Sequence, residues 1–272
     1  MDKKNTKRKR HDLSGGILFT AGLVLIVTAL VMLIPNLLDH RRSNETYENL
    51  KTEYVTEEGQ AEKTEEMEEE TETPEDDWWY QDIRIHVGAM QEENPDIIGW
   101  IRFDHIEQLS YPVLYSGDDE TYLRTDIYGN STIAGCIFME GMNHPDFEDS
   151  HTILYGHNMK NLSMFGSLKK YKTKDFYEQN PFFTIYTTDM AYRYQIFSYR
   201  DVPETDSVYS VGFEADDAFK AFVHTMIQKS YYDTGIEVTK DDKVMTLSTC
   251  SSTGNRFVVH AVRVGEHDYD GH

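Results

Sequence analysis

The chain has 272 residues, 26 Lys and Arg against 48 Asp and Glu, and a formal net charge of -22 at pH 7. That length holds one ample domain with appendages, and the acidic balance excludes a nucleic-acid binder, which needs clustered Lys and Arg for phosphate. Two cysteines, Cys136 and Cys250, exclude a disulfide-built scaffold; whether they pair with each other depends on a Cα separation that sequence does not give.

The chain opens on the basic stretch MDKKNTKRKR, and residues 13–34, LSGGILFTAGLVLIVTALVMLI, carry no charge. At about 1.5 Å per residue, such a run spans the roughly 30 Å of a bilayer's hydrocarbon. It is longer than a signal-peptide core and no small-x-small site follows, so an uncleaved transmembrane signal anchor is expected. Residues 1–12 then form a cytoplasmic basic tail, although Arg41 and Arg42 weaken the charge asymmetry. The expected localisation is the cytoplasmic membrane: a single-pass chain with its N-terminus inside and its folded domain on the extracellular face.

Residues 35–77 include EEGQAEKTEEMEEETETPEDD. They lack a repeating apolar stripe and their like charges repel, which describes a solvated acidic spacer outside the cell. Folded sequence is expected over 78–272. The stretch WWYQDIRIHVGAMQEENP fits a short amphipathic helix with Trp79, Ile83 and Val87 at helical spacing. After Pro95 come eight β-rich runs bounded by turns: IIGWIRF, YPVLYS, AGCIFM, HTILYGH, FFTIYTT, YRYQIFSY, KVMTLSTC and RFVVHAVRV. Helical pieces interrupt them around SMFGSLKKY and, at greater length, in EADDAFKAFVHTMIQKSYY, where Phe219, Phe222, Val223 and Met226 make an apolar face. The fold class is mainly β: a closed eight-stranded barrel, with a helix before the first strand and a long helix before the last two.

Two strand ends carry reactive groups. TILYGHNM places His157 after an apolar run and a glycine, and VMTLSTC ends another apolar run on Cys250. By alternation Thr246, Ser248 and Cys250 share one face of their strand, with Met245, Leu247 and Thr249 on the other. After the turn SSTGN, a new strand opens with Arg256. A thiolate is a nucleophile, an imidazole can supply base or acid, and a guanidinium can stabilise an oxyanion. Together they make a complete acyl-transfer set if the fold brings them together. Each has a bland reading as a buried thiol, a turn histidine or an edge charge. Cys136, inside AGCIFM, reads as core packing. His144, His151 and His157 match no zinc spacing, so no metal is assigned. His260 shares a strand face with Arg256 and reads as a hydrogen-bonded structural histidine.

TLSTC followed at short range by RFVVHA resembles the signature of sortases, and YGHNM is similar to their catalytic-histidine motif. The order His, Cys, Arg agrees with that family and is opposite to papain-like and NlpC/P60-type hydrolases. The Ser in TLSTC, the helix before the first strand, the helix near 214–231, and the blocks GWI, YPV, AGCIFM and ILYGHNMKNLSMFGSL resemble class B sortases. The likeness spans roughly residues 78–265. It implies a sortase-type barrel and a membrane-anchored cysteine transpeptidase of a Gram-positive bacterium, with Cys250, His157 and Arg256 catalytic and no cofactor. The implied partners are surface proteins bearing an NPxTx-like sorting signal, cleaved after Thr, and a peptidoglycan precursor or crossbridge amine. Leu123, Tyr155, Tyr209, Ser248 and Thr249 are implied as substrate-binding. The turn from Cys250 to Arg256 is short, so the pocket wall it builds is open to difference from better-known class B members, which leaves substrate choice open. A Cys/His peptidase on the same fold, a pilus-type protein-to-protein ligase and a non-catalytic adhesin are the alternatives.

Overall fold

The computed structural model describes residues 5–57, 78–81, 83–252 and 254–269. The chain divides into two compact units, Met1–Ser43 and Asn44–His272. In the first, helix α1 (Asn5–Tyr54) carries exposed apolar side chains from Leu18 and Phe19 to Leu37 and Leu38. One window within Leu18–Tyr54 is long and apolar enough to cross a membrane, and none of it is buried, a property that an anchor and a signal sequence share.

The second unit takes in the last turns of α1. Tyr47, Leu50 and Tyr54 lie on one helical face and are buried. The Tyr47 hydroxyl donates to the Gly135 carbonyl at 2.6 Å, and its ring meets Tyr111 edge-on at 5.2 Å. Strand β1 (Val55–Glu57) pairs antiparallel with β2 (Ile83–Ile85). Part of the stretch read as spacer is therefore packed into the folded unit; residues 58–77 lie outside the described residues. Three aromatic or aliphatic side chains at helical spacing supply that packing within an otherwise charged stretch.

The helix expected across 78–95 is divided. A short α2 (Trp78–Gln81) precedes β2, and α3 (Val87–Glu93) follows it. Ile83, Arg84 and Ile85 alternate buried, exposed, buried, which is the period of a strand, and β1 supplies their backbone partners. That partner strand comes from about 28 residues upstream in register and is invisible to a local periodicity.

All eight expected strands form: β3 (Ile97–Phe103), β4 (Ser110–Leu114), β5 (Ile137–Met139), β6 (His151–Tyr155), β7 (Phe182–Tyr186), β8 (Met190–Pro203), β9 (Val244–Ser252) and β10 (Asn255–Asp268). They close a barrel in the order β10-β8-β7-β3-β4-β5-β6-β9. The β4–β5 and β6–β9 pairs are parallel and the other described pairs antiparallel. Aromatic side chains such as Trp100, Phe183, Tyr194 and Phe257 fill the interior, and the Trp100 indole N–H finds Ser110 Oγ at 2.9 Å, so its burial leaves no orphan donor.

Between β6 and β7 the expected helix around SMFGSLKKY is a 3-10 helix, Phe165–Lys172, followed by α4 (Lys174–Gln179). The long helix before the last two strands is α5 (Asp217–Gln228). Its N-cap Asp216 accepts from the backbone N–H groups of Ala218 and Phe219. Phe219, Val223 and Met226 bury against Phe197, Val244 and Val262. Cys136 is a free thiol inside the core, and burial pushes it up to about 12. It forms no disulfide and no reactive thiolate near neutral pH.

Candidate active site

The parallel β6–β9 ladder aligns Leu154 with Leu247 and Tyr155 with Ser248, and Gly156 N–H extends it to the Ser248 carbonyl at 3.1 Å. Two residues beyond the last pair come His157, just past the end of β6, and Cys250 on β9. On the other side of β9, the β10 ladder pairs Arg256 with Cys250. Three distant stretches of chain are thus carried to one barrel end by register. Cys250 is placed here by its backbone; its side chain lies outside the described residues.

A cavity of about 220 Å³ opens at this end, walled by Leu123, Tyr155, His157, Ser248, Thr249 and Arg256. Asp119, Phe138 and Gly156 complete its lining. Gly156 is required by space: a Cβ there would lie 2.5 Å from Ile137 Cδ1 and 2.7 Å from the Phe165 ring.

His157 is oriented by Leu123, whose carbonyl lies 2.7 Å from Nε2. A carbonyl only accepts, so the proton sits on Nε2 and the Nδ1 lone pair is left for chemistry. Burial lowers the imidazole's pKa below its ordinary value, and the positive charge of Arg124 lowers it further, against the opposing pull of the Leu123 carbonyl. The resting imidazole is neutral. Its backbone is pinned by the Phe165 N–H, which donates to the His157 carbonyl at 3.1 Å. The Leu123 carbonyl is itself closely packed: Gly135, at φ +57, would bring a Cβ within 2.6 Å of it.

The β9–β10 register shifts between Asn255 and Arg256, and the Arg256 guanidinium pairs with Glu204 at 3.2 Å. Both partners are partly solvated, so the pair orients more than it stabilises. Tyr155 donates its hydroxyl to Glu140 at 2.6 Å, which with burial keeps the phenol protonated far above neutral pH. Burial and the neighbouring Asp119 raise the Glu140 carboxyl. Tyr209, from the 3-10 helix Ser207–Tyr209, stacks beside Tyr155 with centroids 6.3 Å apart and places its hydroxyl 3.0 Å from Ser248 Oγ. Thr249 Oγ1 is buried and, among the described residues, meets no hydrogen-bond partner.

Every residue read from the sequence as catalytic or substrate-binding stands at this barrel end, with Cys250 located by strand register alone. Asp119, Glu140, Phe138 and Glu204 carry no such signal in the sequence. Phe138 looks like any core aromatic, and the three carboxylates belong to charged or turn segments whose neighbours are set by long-range pairing. The other histidines go elsewhere. His144 pairs with Asp149 at 2.8 Å on the surface, and His151 is buried beside Thr246 and His260.

Residues 101–264 match the family model described as the sortase domain. Sortase B of Listeria monocytogenes is 34% identical over 172 residues, covering 63% of this chain and 69% of the relative. Sortase B of Staphylococcus aureus is 32% identical over 183 residues, 66% of this chain and 75% of that protein. Among solved structures, Bacillus anthracis sortase B in complex with AAEK1 superposes with a TM-score of 0.68 at 31% identity, covering 84% of this chain and 99% of the other. A Staphylococcus aureus sortase B–substrate complex gives 0.62 at 32% identity, over 65% and 84%. With its closed eight-stranded barrel and these relatives, the chain belongs to the sortase family of cysteine transpeptidases, class B.

Proposed function

We propose that this enzyme cleaves an NPxTx-like C-terminal sorting signal after its Thr and transfers the protein to an amine of peptidoglycan. The observation that carries this reading is the meeting of His157 and Arg256 at one cavity with Ser248, Thr249, Tyr155 and Leu123 in its wall, and the pairing of the Cys250 backbone with Arg256. Sulfur of Cys250 attacks the Thr carbonyl carbon, its proton passing to the free Nδ1 of His157. Arg256 hydrogen-bonds the oxyanion. The C–N bond breaks as His157 returns that proton to the leaving amine, leaving a thioester on Cys250. An incoming amine attacks the thioester, its proton goes to the thiolate through His157, and an amide forms as the thiol is restored. Each step balances without a metal or cofactor.

The Tyr209–Ser248 pair supplies polar contacts for the extended peptide, and Leu123 supplies an apolar one. The exposed apolar window of α1, preceded by MDKKNTKRKR, supports a membrane anchor with the basic end inside and the barrel outside.

The test incubates the folded unit with an NPxTx-type peptide, with and without a peptidoglycan-type amine, read by mass spectrometry. A Cys250-linked acyl-enzyme, absent from Cys250→Ala, and an amine-dependent ligated product are expected. Cleavage of the same rate without amine and without ligation would replace the transferase by a peptidase. Protease shaving of intact cells, releasing the barrel but not the first residues, checks the orientation.

A further inference from the structure

Behind the cavity wall lies a buried polar chain that the acyl-transfer chemistry does not use. His151 opens β6, Thr246 is on β9 and His260 on β10; all three are buried. His151 Nδ1 lies 2.8 Å from the Ser210 carbonyl, and its Nε2 lies 2.7 Å from Thr246 Oγ1. Thr246 Oγ1 is in turn 2.8 Å from His260 Nδ1.

The chemistry fixes a direction along this chain. The Ser210 carbonyl only accepts, so His151 Nδ1 carries a proton. Burial lowers the His151 pKa to about 4, so the ring is neutral and Nε2 holds a lone pair. Thr246 must donate its hydroxyl proton there, and its oxygen then accepts from His260 Nδ1–H. Phe222 of α5 packs edge-on against His151 at 5.1 Å, and Phe197 stacks on His260 at 6.1 Å.

Ser210 follows the 3-10 helix Ser207–Tyr209 directly. The opposite end of that turn is tied by Asp206, which accepts from Val208 N–H at 3.1 Å and pairs with Arg200 at 3.0 Å. Val208 is buried against Val202 and Val258. Tyr209 stands between the two ties, with its hydroxyl on Ser248 of the cavity wall. A loop turn carrying a recognition side chain is mobile unless both ends are held.

We propose that His151 is a positioning residue for the sorting peptide: polarised by Thr246 and His260, it grips the Ser210 carbonyl and so fixes Tyr209 at the cavity wall. This rests on the reading of that cavity as the peptide site. His151 touches no reacting atom, so its loss acts on peptide binding rather than on the acyl transfer itself.

Two amide variants separate the roles. His151→Asn places an amide N–H near the position of Nδ1 and keeps a donor for Ser210; His151→Gln places it near Nε2 and does not. His151→Gln is expected to raise KM for the sorting peptide about three- to tenfold, the span of one lost hydrogen bond, with kcat within about twofold. His151→Asn is expected to stay close to wild type. Tyr209→Phe is expected to raise KM similarly, and His151→Gln to add nothing to it. Equal KM values for the Gln and Asn variants, or a full added effect of His151→Gln on Tyr209→Phe, would overturn the proposal. If neither variant folds, Thr246→Val against Thr246→Ser carries the same comparison, since only serine keeps the donor to Nε2. Should the wild type leave the sorting peptide untouched, the peptide-site reading falls. The tyrosine ring resonances of Tyr209 then decide positioning, and identical spectra for the Gln and Asn variants would refute it.

Discussion

Arg256 stands directly across the β9–β10 ladder from Cys250, beside a register shift between Asn255 and Arg256. Its other neighbour, Glu204, holds it at 3.2 Å without burying it, which leaves donors for a substrate carbonyl. Arg256→Ala is expected to lower kcat/KM about 10²-fold or more while leaving the unfolding midpoint within a few degrees. Arg256→Lys keeps the charge but not the planar fork, so a loss of about tenfold is expected. Steady-state kinetics on the sorting peptide, beside a thermal melt, check both.

Gly156 sits between the strand that builds the core and the histidine that faces the cavity. Its missing Cβ is occupied space, with Phe165 fully buried and unable to withdraw. Gly156→Ala is expected to cost about 1–3 kcal/mol of stability from overpacking and to reduce turnover by displacing His157. Urea unfolding and activity are measured on the same preparation; an unchanged midpoint with full activity contradicts this close packing.

The neutral resting state of His157 has a pH signature. Burial and Arg124 both lower its pKa, so the acid limb of kcat/KM lies below the ordinary imidazole range. Removing a nearby positive charge favours the protonated ring. Arg124→Ala is therefore expected to move that limb to higher pH, and Arg124→Lys to leave it near the wild-type position. A pH profile of kcat/KM on the sorting peptide reads the shift, and movement to lower pH in the alanine variant contradicts the assignment.

His151 and His260 make folding acid-sensitive. Both are buried and their pKa values lowered, so the unfolded chain binds their protons first. The stability they confer is complete above the unfolded imidazole pKa of roughly 6.5, and His151's share is lost as pH falls from there through about 4. For His151 that share is about 3 kcal/mol. Urea midpoints across this window are expected to fall steadily in the wild type and less steeply in His151→Asn. A flat wild-type profile contradicts the buried, neutral pair.

Much of the barrel is legible in the sequence because strands and α5 advertise themselves locally. IIGWIRF reads as β3 to the residue, and the alternation in KVMTLSTC separates Leu247 from Ser248 before any partner is known. WWYQDIRIHV misleads because Ile83 and Val87 satisfy a helical spacing as well as Ile83 and Ile85 satisfy a strand. Only the distant partner β1 breaks the tie. The aromatic face of Tyr47, Leu50 and Tyr54 is hidden for a similar reason: acidic neighbours dominate the local composition, and the surface that buries it comes from residues near 111 and 135.

Sequence by itself determined the element types, the long apolar run near the N-terminus, and the presence and order of an imidazole, a thiol and a guanidinium, because these depend on residue identity and short-range period. Tertiary structure alone decided that His157 stands against the Leu123 carbonyl, that Glu204 borders Arg256, that Glu140 accepts the Tyr155 hydroxyl, and that His151 grips Ser210. Those contacts join residues separated by up to tens of positions. Their distances are fixed by sheet register and barrel closure, which no local pattern of side chains encodes.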